Sequence, residues 1–541
     1  MAFETRLTPE MSRRWRSAGL WSDETFADVL ARRVAETPDK EAVTDGTRRL
    51  TYRELSDGID RMAARLRGLG IGEGDVVGIQ VPNWVEFPFV FFALERLGAV
   101  AVTVSVDFRS RELEYILRFA DARMLVCCAR FRDFDHLAMA EELRRKVPSL
   151  KIVGVLRGAP LPGMVSLDNV AAGSGPPADF APTRQSADTV MRMAFTSGTT
   201  GNPKGVMHSH NTTLAAARIL NGDLGLGPAD VLMTWLPCGL NWGYLTLVQA
   251  ILAGGKAVLQ ERFRPGAALD LIQQERVTYI PTAPASLTAI LQEPDISSHD
   301  LSSLRIVVSG GASAPVETIR EWRRAAPGEL LELLGMLETG YQTYTRPGDD
   351  PERVAGSVGR PASHMGLRLV DLEGKEVPRG EEGEICSDGP SVHLGYHNNP
   401  KANADAFLPD GWFRSGDLGM IDGDGNLRIV GRLKEMINRG GMKFFPREIE
   451  EILYTHPKVL YAAIVGIPDQ RLGERNCLCL VPKPGTPPTL EELLAFLGDS
   501  VATYKRPERL ELFEQLPFTP TGKIQRHVLV REVTARIAGT H

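Results

Sequence analysis

Between Met191 and Val206 the chain passes from a strand-like run, MRMAF, through the polar stretch Thr196 to Lys204, TSGTTGNPK, into a second apolar run opened by Gly205. No other stretch restricts the possible folds as strongly. Consecutive small residues let backbone N–H groups converge on one anion, while hydroxyls and a terminal ammonium add donors that follow its charge. Gly198 and Gly201 give this backbone its freedom, and Pro203 limits it just before Lys204. The spacing is not that of a Walker loop, because Lys204 follows Asn202 and Pro203 rather than glycine and leads into a strand rather than a helix. The reading is a phosphate-handling turn between strands, with a polar surface turn as the alternative.

On both sides of this turn, strand-like and helix-like segments alternate. Strands are expected over 76–81, 100–104 and 124–127, with helices over 85–97 and 111–119 between them. After the turn, strands over 231–236, 257–259, 277–280 and 305–308 alternate with helices over 244–253 and 268–275. Such alternation means parallel sheets covered by helices. Near the start, an apolar face over 22–34 has Ser22 or Asp23 as a cap, and Thr51 with Glu54 forms a capping box for a helix that Gly70 ends. The strand at 305–308 opens into Ser309, Gly310, Gly311 and Ala312, the kind of strand end where an α/β sheet binds its ligand; a simple turn before a helix fits that piece equally.

A Gly- and Pro-rich connection spans 158–182. From about 354 to 430 the pattern becomes short alternating strands with many glycines, which predicts a small distorted barrel. Beyond Arg432 comes a compact α+β unit: a helix over 446–453, strands over 462–466 and 476–481, a helix over 489–497 and a strand over 510–513. The expected architecture is therefore a large α/β N-terminal domain, residues 1–433, made of two parallel-sheet subdomains plus the distorted β-barrel. A smaller, mobile α+β C-terminal domain, 434–541, follows.

A formal net charge of −6 over 541 residues argues against a nucleic-acid binder and leaves a polyanionic ligand to a local basic site. The six cysteines match neither a zinc ribbon nor a redox C-x-x-C, so reduced, buried thiols in a cytoplasmic protein are expected. The opening MAFETRLTPEMSRRWR lacks the apolar core of a signal peptide. The longest apolar stretch, 87–106, carries Glu95 and Arg96, which are costly in a bilayer, so no membrane span is expected.

The run TSGTTGNPK, continuing as GVMHSH, resembles the phosphate-binding signature of the adenylate-forming superfamily: acyl-CoA synthetases, luciferases and adenylation domains of peptide synthetases. Further signatures follow in order, so the resemblance covers essentially the whole chain. GWFRSGDLG over 411–419 resembles the ribose-binding motif, which implies that Asp417 accepts from two ribose hydroxyls. GRLKEMINRGGMKFFPREIE over 431–450 resembles the interdomain hinge: Arg432 would contact the nucleotide, Lys434 would be the pivot, and Gly440 and Gly441 would line a tunnel for CoA, where a side chain would block the way. PTGK near the end would bring Lys523 to the α-phosphate.

The resemblance implies Lys523, Glu338, Thr196 and Lys434 as the catalytic groups, with Glu338 linked to Mg²⁺. The nucleotide site would be Thr196, Ser197, Gly198, Thr199, Thr200, Gly201 and Lys204, with Gly310, Gly311, Ala312, Leu334, Gly335, Met336, Leu337, Asp417 and Arg432. The acyl pocket would use Leu240, Asn241, Trp242, Gly311 and Gly335. Cofactors and substrates implied are ATP or an acyl-adenylate, CoA, Mg²⁺ and a small carboxylic acid.

Two departures from the family pattern stand out. Where an aromatic, Gly, any residue, Thr and Glu are usual, this chain has Leu334, Gly335, Met336, Leu337 and Glu338. Losing a hydroxyl bonded to charged phosphate removes about 1.5–3 kcal/mol, and leucine adds apolar bulk beside the departing pyrophosphate. This motivates the expectation that ATP-dependent adenylation is crippled while the thioester step survives, with a separate adenylating enzyme as partner; substitution by neighbouring groups or water is the alternative. In LPCGLNWG over 236–243, Leu240 replaces a usual His or aromatic, and the small Cys238 and Gly239 suggest a roomy apolar pocket for a bulky cyclic acid. The look is closest to bacterial ligases of alicyclic acids. An acid–CoA ligase is thus expected, against a complete two-step synthetase, a carrier-protein loading enzyme and a non-catalytic adenylate binder.

Overall fold

The computed structural model of the chain describes residues 3–538 apart from 172, 174–176, 178–179, 197–202, 313, 470, 499–500 and 520–523. Two large sheets dominate. One has seven strands in the order Gly205–Ser209, Val190–Phe195, Val100–Thr103, Val76–Gln80, Met124–Cys128, Ile152–Leu156 and Val165–Ser166. It is parallel except where Gly205–Ser209 runs back beside Val190–Phe195. Its central strands are buried along their whole length, as expected for a sheet covered on both faces.

The other large sheet has nine strands, from Arg360–Pro361 at one edge through Glu329–Met336, Ile306–Gly310, Tyr279–Thr282 and Val231–Thr234 to Arg49–Thr51 at the other. Its middle is parallel and its edges antiparallel. The apolar stretch at 87–106 resolves into the helix Glu86–Leu97, buried from Phe87 onward, and the strand Val100–Thr103. Glycine at 98 takes φ +74° to turn the chain between them.

Two sequence expectations need correction. The first long helix begins at Phe26, and its cap is Thr25, not Ser22 or Asp23: the Thr25 hydroxyl accepts from the Asp28 N–H and the Asp28 carboxylate accepts from the Thr25 N–H. The region expected as a small distorted barrel is a four-stranded antiparallel sheet, ordered Gly366–Val370, Glu382–Asp388, Phe413–Ile421 and Leu427–Arg432, with its first and last strands at opposite edges. A period of two identifies strands but does not decide whether the sheet closes.

The C-terminal part is a five-stranded sheet built on the long hairpin Val459–Asp469 and Gly473–Pro482, with the helices Pro446–Leu453, Leu490–Leu497 and Arg526–Ala538. Its core, Ile437, Phe444, Ile449, Leu453, Ile464, Leu478 and Leu493 among others, is separate from the cores of the two large sheets. All six cysteines are buried and free. Among the described residues no helix is long and apolar enough to cross a membrane.

Candidate active site

The turn at 196–204 joins two neighbouring antiparallel strands, so its ends must meet. The Thr196 N–H donates to Lys204 O at 3.2 Å, and the Lys204 N–H donates to Thr196 Oγ1 at 3.3 Å. Ser197, Gly198, Thr199, Thr200 and Gly201 lie outside the described residues, as does Lys523. The Lys204 ammonium stands 4.5 Å from the centre of the Tyr396 ring. Burial and the nearby Lys434 charge lower its pKa, while Glu338 and Asp405 oppose that shift. Lys204, Lys434 and Glu338 thus share one electrostatic neighbourhood, although they are far apart in sequence.

The loop that carries Glu338 is held through its backbone. Four successive carbonyls each receive a donor: Met336 O from Asn241 Nδ2 at 3.3 Å, Leu337 O from His208 Nε2 at 2.7 Å, Glu338 O from the His393 N–H at 2.8 Å, and Thr339 O from Ser391 Oγ at 2.7 Å. A carbonyl only accepts, so His208 carries its proton on Nε2. Burial, and next to it the Arg192 charge, push the His208 pKa down to about 4, so the ring is neutral near pH 7. The Glu338 carboxylate accepts from the Tyr396 hydroxyl at 3.0 Å.

Leu337 does not intrude on this arrangement. Its side chain packs with Met336, Val392 and Phe407 against Val206, Tyr396 and Phe413. Leu334 is 8% exposed and lies in a different apolar cluster, with Val358, Leu369, Ile385 and Leu427. Gly335 is required by its own hairpin, since a Cβ there would stand 2.7 Å from Gly340 O.

Asp417 and Arg432 face each other across the antiparallel pair Phe413–Ile421 and Leu427–Arg432, and the cross-strand register joins them as an ion pair of 2.7 Å. Asp417 is 4% exposed. Gly311 and Ala312 are exposed at the end of Ile306–Gly310, and Gly311 takes φ +84°. Gly440 and Gly441 form the two-residue turn between Ile437–Arg439 and Met442–Phe444 with φ +62° and +88°. Both positive angles favour glycine at this hairpin turn on conformational grounds alone.

The expected roomy pocket at 236–243 is not what the small residues provide. A Cβ on Gly239 would stand 2.1 Å from Val104 O, and Cys238 is fully buried with its N–H donating to Asn83 Oδ1 at 2.7 Å. Their smallness serves close backbone approach. Trp242 lies against Gly310, where a Cβ would come within 2.9 Å of the indole, and Leu240 is the residue before the helix Asn241–Ala253. Asn241, expected to face an acid, spends its amide internally: Nδ2 donates to Met336 O, and Oδ1 accepts from Arg192 Nη1 at 2.8 Å.

Arg192, His208, Ser391, His393 and Tyr396 were not singled out by sequence reasoning. Arg192 had a readable signal, a charge inside the otherwise apolar run VMRMAF. His208 lies in GVMHSH, the continuation of the phosphate-loop run, without having been given a role, and Ser391, His393 and Tyr396 lie in a segment whose spacing carries no signal. Among the described residues no three His, Cys, Asp or Glu side chains gather as a metal site. The donor set still fits Mg²⁺, which is ordinarily bound by one or two carboxylates together with substrate phosphates, and Glu338 supplies one.

Comparison with known proteins gives the same answer for both halves. The family description "AMP-binding enzyme" matches residues 30–397, and "AMP-binding enzyme C-terminal domain" matches 448–523. The chain is 35% identical over 528 residues to the medium-chain fatty-acid–CoA ligase of Escherichia coli (strain K12), covering 97% of this chain and 93% of that one. It is 36% identical over 528 residues to the salicyl-AMP ligase / salicyl-S-ArCP synthetase of Mycobacterium tuberculosis (strain ATCC 25618 / H37Rv), covering 96% and 92%. Among solved structures, the anthranilate CoA ligase AuaEII in complex with anthranoyl-AMP superposes with a TM-score of 0.87 at 29% identity, covering 96% of this chain and 98% of that one. The chain belongs to the AMP-binding enzymes of the adenylate-forming superfamily and is an AMP-forming acid–thiol ligase.

Proposed function

We propose that the protein joins a ring carboxylic acid to CoA in two steps, through an acyl-adenylate made from ATP. The observation that carries this reading is the meeting of Lys204 and Glu338 at the Tyr396 ring, on a loop anchored through four carbonyls. In the first step the carboxylate displaces pyrophosphate from ATP, and Lys204 and Lys523 would offset the charge that builds on the phosphates. Glu338 would hold Mg²⁺, which would supply charge neutralisation to the phosphates. Asp417 would accept from the ribose hydroxyls, with Arg432 beside it. In the second step the CoA thiol takes the acyl group and AMP leaves. For this the residues from 434 onward would turn about Lys434, and Gly440 and Gly441 would border the approach of the thiol.

The ring acid is supported by relatives named for salicylate and 2,3-dihydroxybenzoate, and by the neighbour named for anthranilate. The small residues that suggested a roomy pocket are explained by packing, which leaves the alicyclic acid only the overall look of the sequence in its favour. The anchored backbone of 336–339 favours a slowed adenylation step over a crippled one. Leu337→Thr is expected to raise ATP-dependent AMP formation by roughly 10- to 100-fold while leaving turnover of supplied acyl-adenylate with CoA unchanged. The deciding experiment offers purified protein ATP plus acid and, separately, synthetic acyl-adenylate, each with CoA. AMP release from both supports the two-step reading, and release from the adenylate alone restores the half-reaction with a separate adenylating partner. No release from either points to a binder. A carrier-protein acceptor is the second reading, favoured by the salicyl-S-ArCP synthetase, and intact-mass detection of acyl-carrier rather than acyl-CoA would establish it. The six free, buried thiols fit a reducing cytoplasm.

A further inference from the structure

Arg192 sits in the middle of the buried strand Val190–Phe195 and is 1% exposed. Its Nε donates to Thr103 Oγ1 at 3.2 Å, its Nη1 to Asn241 Oδ1 at 2.8 Å, and its guanidinium lies 4.2 Å from the centre of the Tyr244 ring. The third arm of the fork, Nη2, is buried and has no hydrogen-bond partner. Among the described residues no carboxylate pairs with this cation; the groups around it are neutral, including His208 across the strand pair. A buried guanidinium left this way is costly, and a fold seldom carries that cost without a partner to relieve it.

Beside it is a cavity of about 10 Å³, lined by Arg192, His208, Thr213, Asn241, Leu245 and Ser391 among others. That volume suits one water-sized atom and no more. The cavity adjoins Asn241, whose side chain ties Arg192 to Met336 at the head of the Glu338 loop. Its walls also include Thr212, Ala216 and Gly340, so polar and apolar groups both line it.

We propose that Arg192 Nη2 and this cavity form the subsite that selects the acid: they take one hydrogen-bond-accepting oxygen, a hydroxyl or carbonyl carried on the ring of the carboxylic acid. This rests on the proposed function and on the expectation that Leu240, Asn241 and Trp242, at the start of Asn241–Ala253, border the acyl pocket. The size of the cavity admits an oxygen and rejects a second carboxylate or a long chain. A methyl in the same place would leave the Nη2 donors unpaired, and a bare ring would leave the cavity to an unshared water.

The test uses the full chain with ATP and CoA and follows AMP release from matched acids: benzoate and cyclohexanecarboxylate, their 2-, 3- and 4-hydroxy forms, and the corresponding methyl forms. The wild-type protein is expected to prefer at least one hydroxy isomer over its unsubstituted and methyl partners by roughly 10- to 100-fold in kcat/KM, as a charge-assisted hydrogen bond implies. Arg192→Met is expected to shrink that ratio to within about threefold of unity, mainly through the KM of the hydroxy acid, and Arg192→Lys to restore part of it. Thermal denaturation of each variant establishes that it is folded. A wild-type protein indifferent to ring oxygen overturns the subsite while leaving the ligase reading intact. Equal loss for hydroxy and unsubstituted acids in Arg192→Met also overturns it, because a purely structural arginine would behave so. No AMP from any acid, with synthetic acyl-adenylates inert as well, overturns both.

Discussion

Two enclosed arginines in this protein are treated in opposite ways. Arg526, the first residue of the helix Arg526–Ala538, has a side chain 19% exposed and is surrounded by acceptors: Glu450 through Nη1 and Nη2 at 2.6 and 2.8 Å, Glu435 at 3.1 Å and Ile464 O at 2.9 Å. Arg192, more deeply buried, has no carboxylate at all among the described residues and one nitrogen without a partner. The paired fork is a structural tie, joining the residue after Lys434 to the C-terminal sheet. On the subsite proposed above, the unpaired one is a binding group whose deficit an incoming ligand oxygen relieves.

The largest expected effect breaks the paired member. Arg526→Met strands Glu450, which is 5% exposed, and should cost about 3–5 kcal/mol in urea denaturation. A cost under about 1 kcal/mol would mean that the tie is ornamental. Glu332 offers a third case, a carboxyl rather than a guanidinium. It is 1% exposed and neither of its oxygens makes a well-formed hydrogen bond; burial pushes its pKa from the usual 4.5 up to about 8, which the nearby Ser309 hydroxyl and Ala314 N–H offset only in part.

The sign follows from which state holds the proton. Between about 4.5 and 8 the folded state keeps a proton that the unfolded state has lost, so stability is fullest at the acid end of that window and declines as pH rises. Glu332→Gln should flatten the decline and exceed the parent at pH 8 by on the order of 2–4 kcal/mol. Urea midpoints at pH 5 and pH 8 measure this, and an unchanged slope would show that Glu332 is not its source.

The smallest effect sharpens the comparison most. Arg192→Met removes an uncompensated charge but leaves Asn241 Oδ1 and Thr103 Oγ1 without their donor, so stability should move by no more than about 1 kcal/mol. A loss as large as that of Arg526→Met would make the two arginines alike and remove the basis for a ligand at Nη2.

Much of the molecule was legible in the sequence. The capping box at Thr51 and Glu54 and the helix Pro446–Leu453 follow from local chemistry, and the structure shows both. Alternating strand and helix segments gave the sheets, because a strand buried on both faces has to be apolar along its length. The cap at Thr25 was missed because Ser22, Asp23 and Thr25 are all competent caps, and only the packing of Phe26, Val29 and Leu30 decides where the helix starts. The Glu338 loop was visible as a motif, but its clamp was not: His208, Asn241, Ser391 and His393 come from three distant segments.

The sequence by itself determined that this chain makes helix-covered sheets and belongs with enzymes that activate acids, since these depend on residue type and spacing along the chain. Tertiary structure alone decided that Gly239 and Cys238 are packing residues, that the Asn241 amide is already spent, and that one arginine is left unpaired while another is fully clasped. Those outcomes depend on which atoms become neighbours across 49 to 155 residues of chain, and hydrogen-bond satisfaction is a property of neighbours, not of spacing.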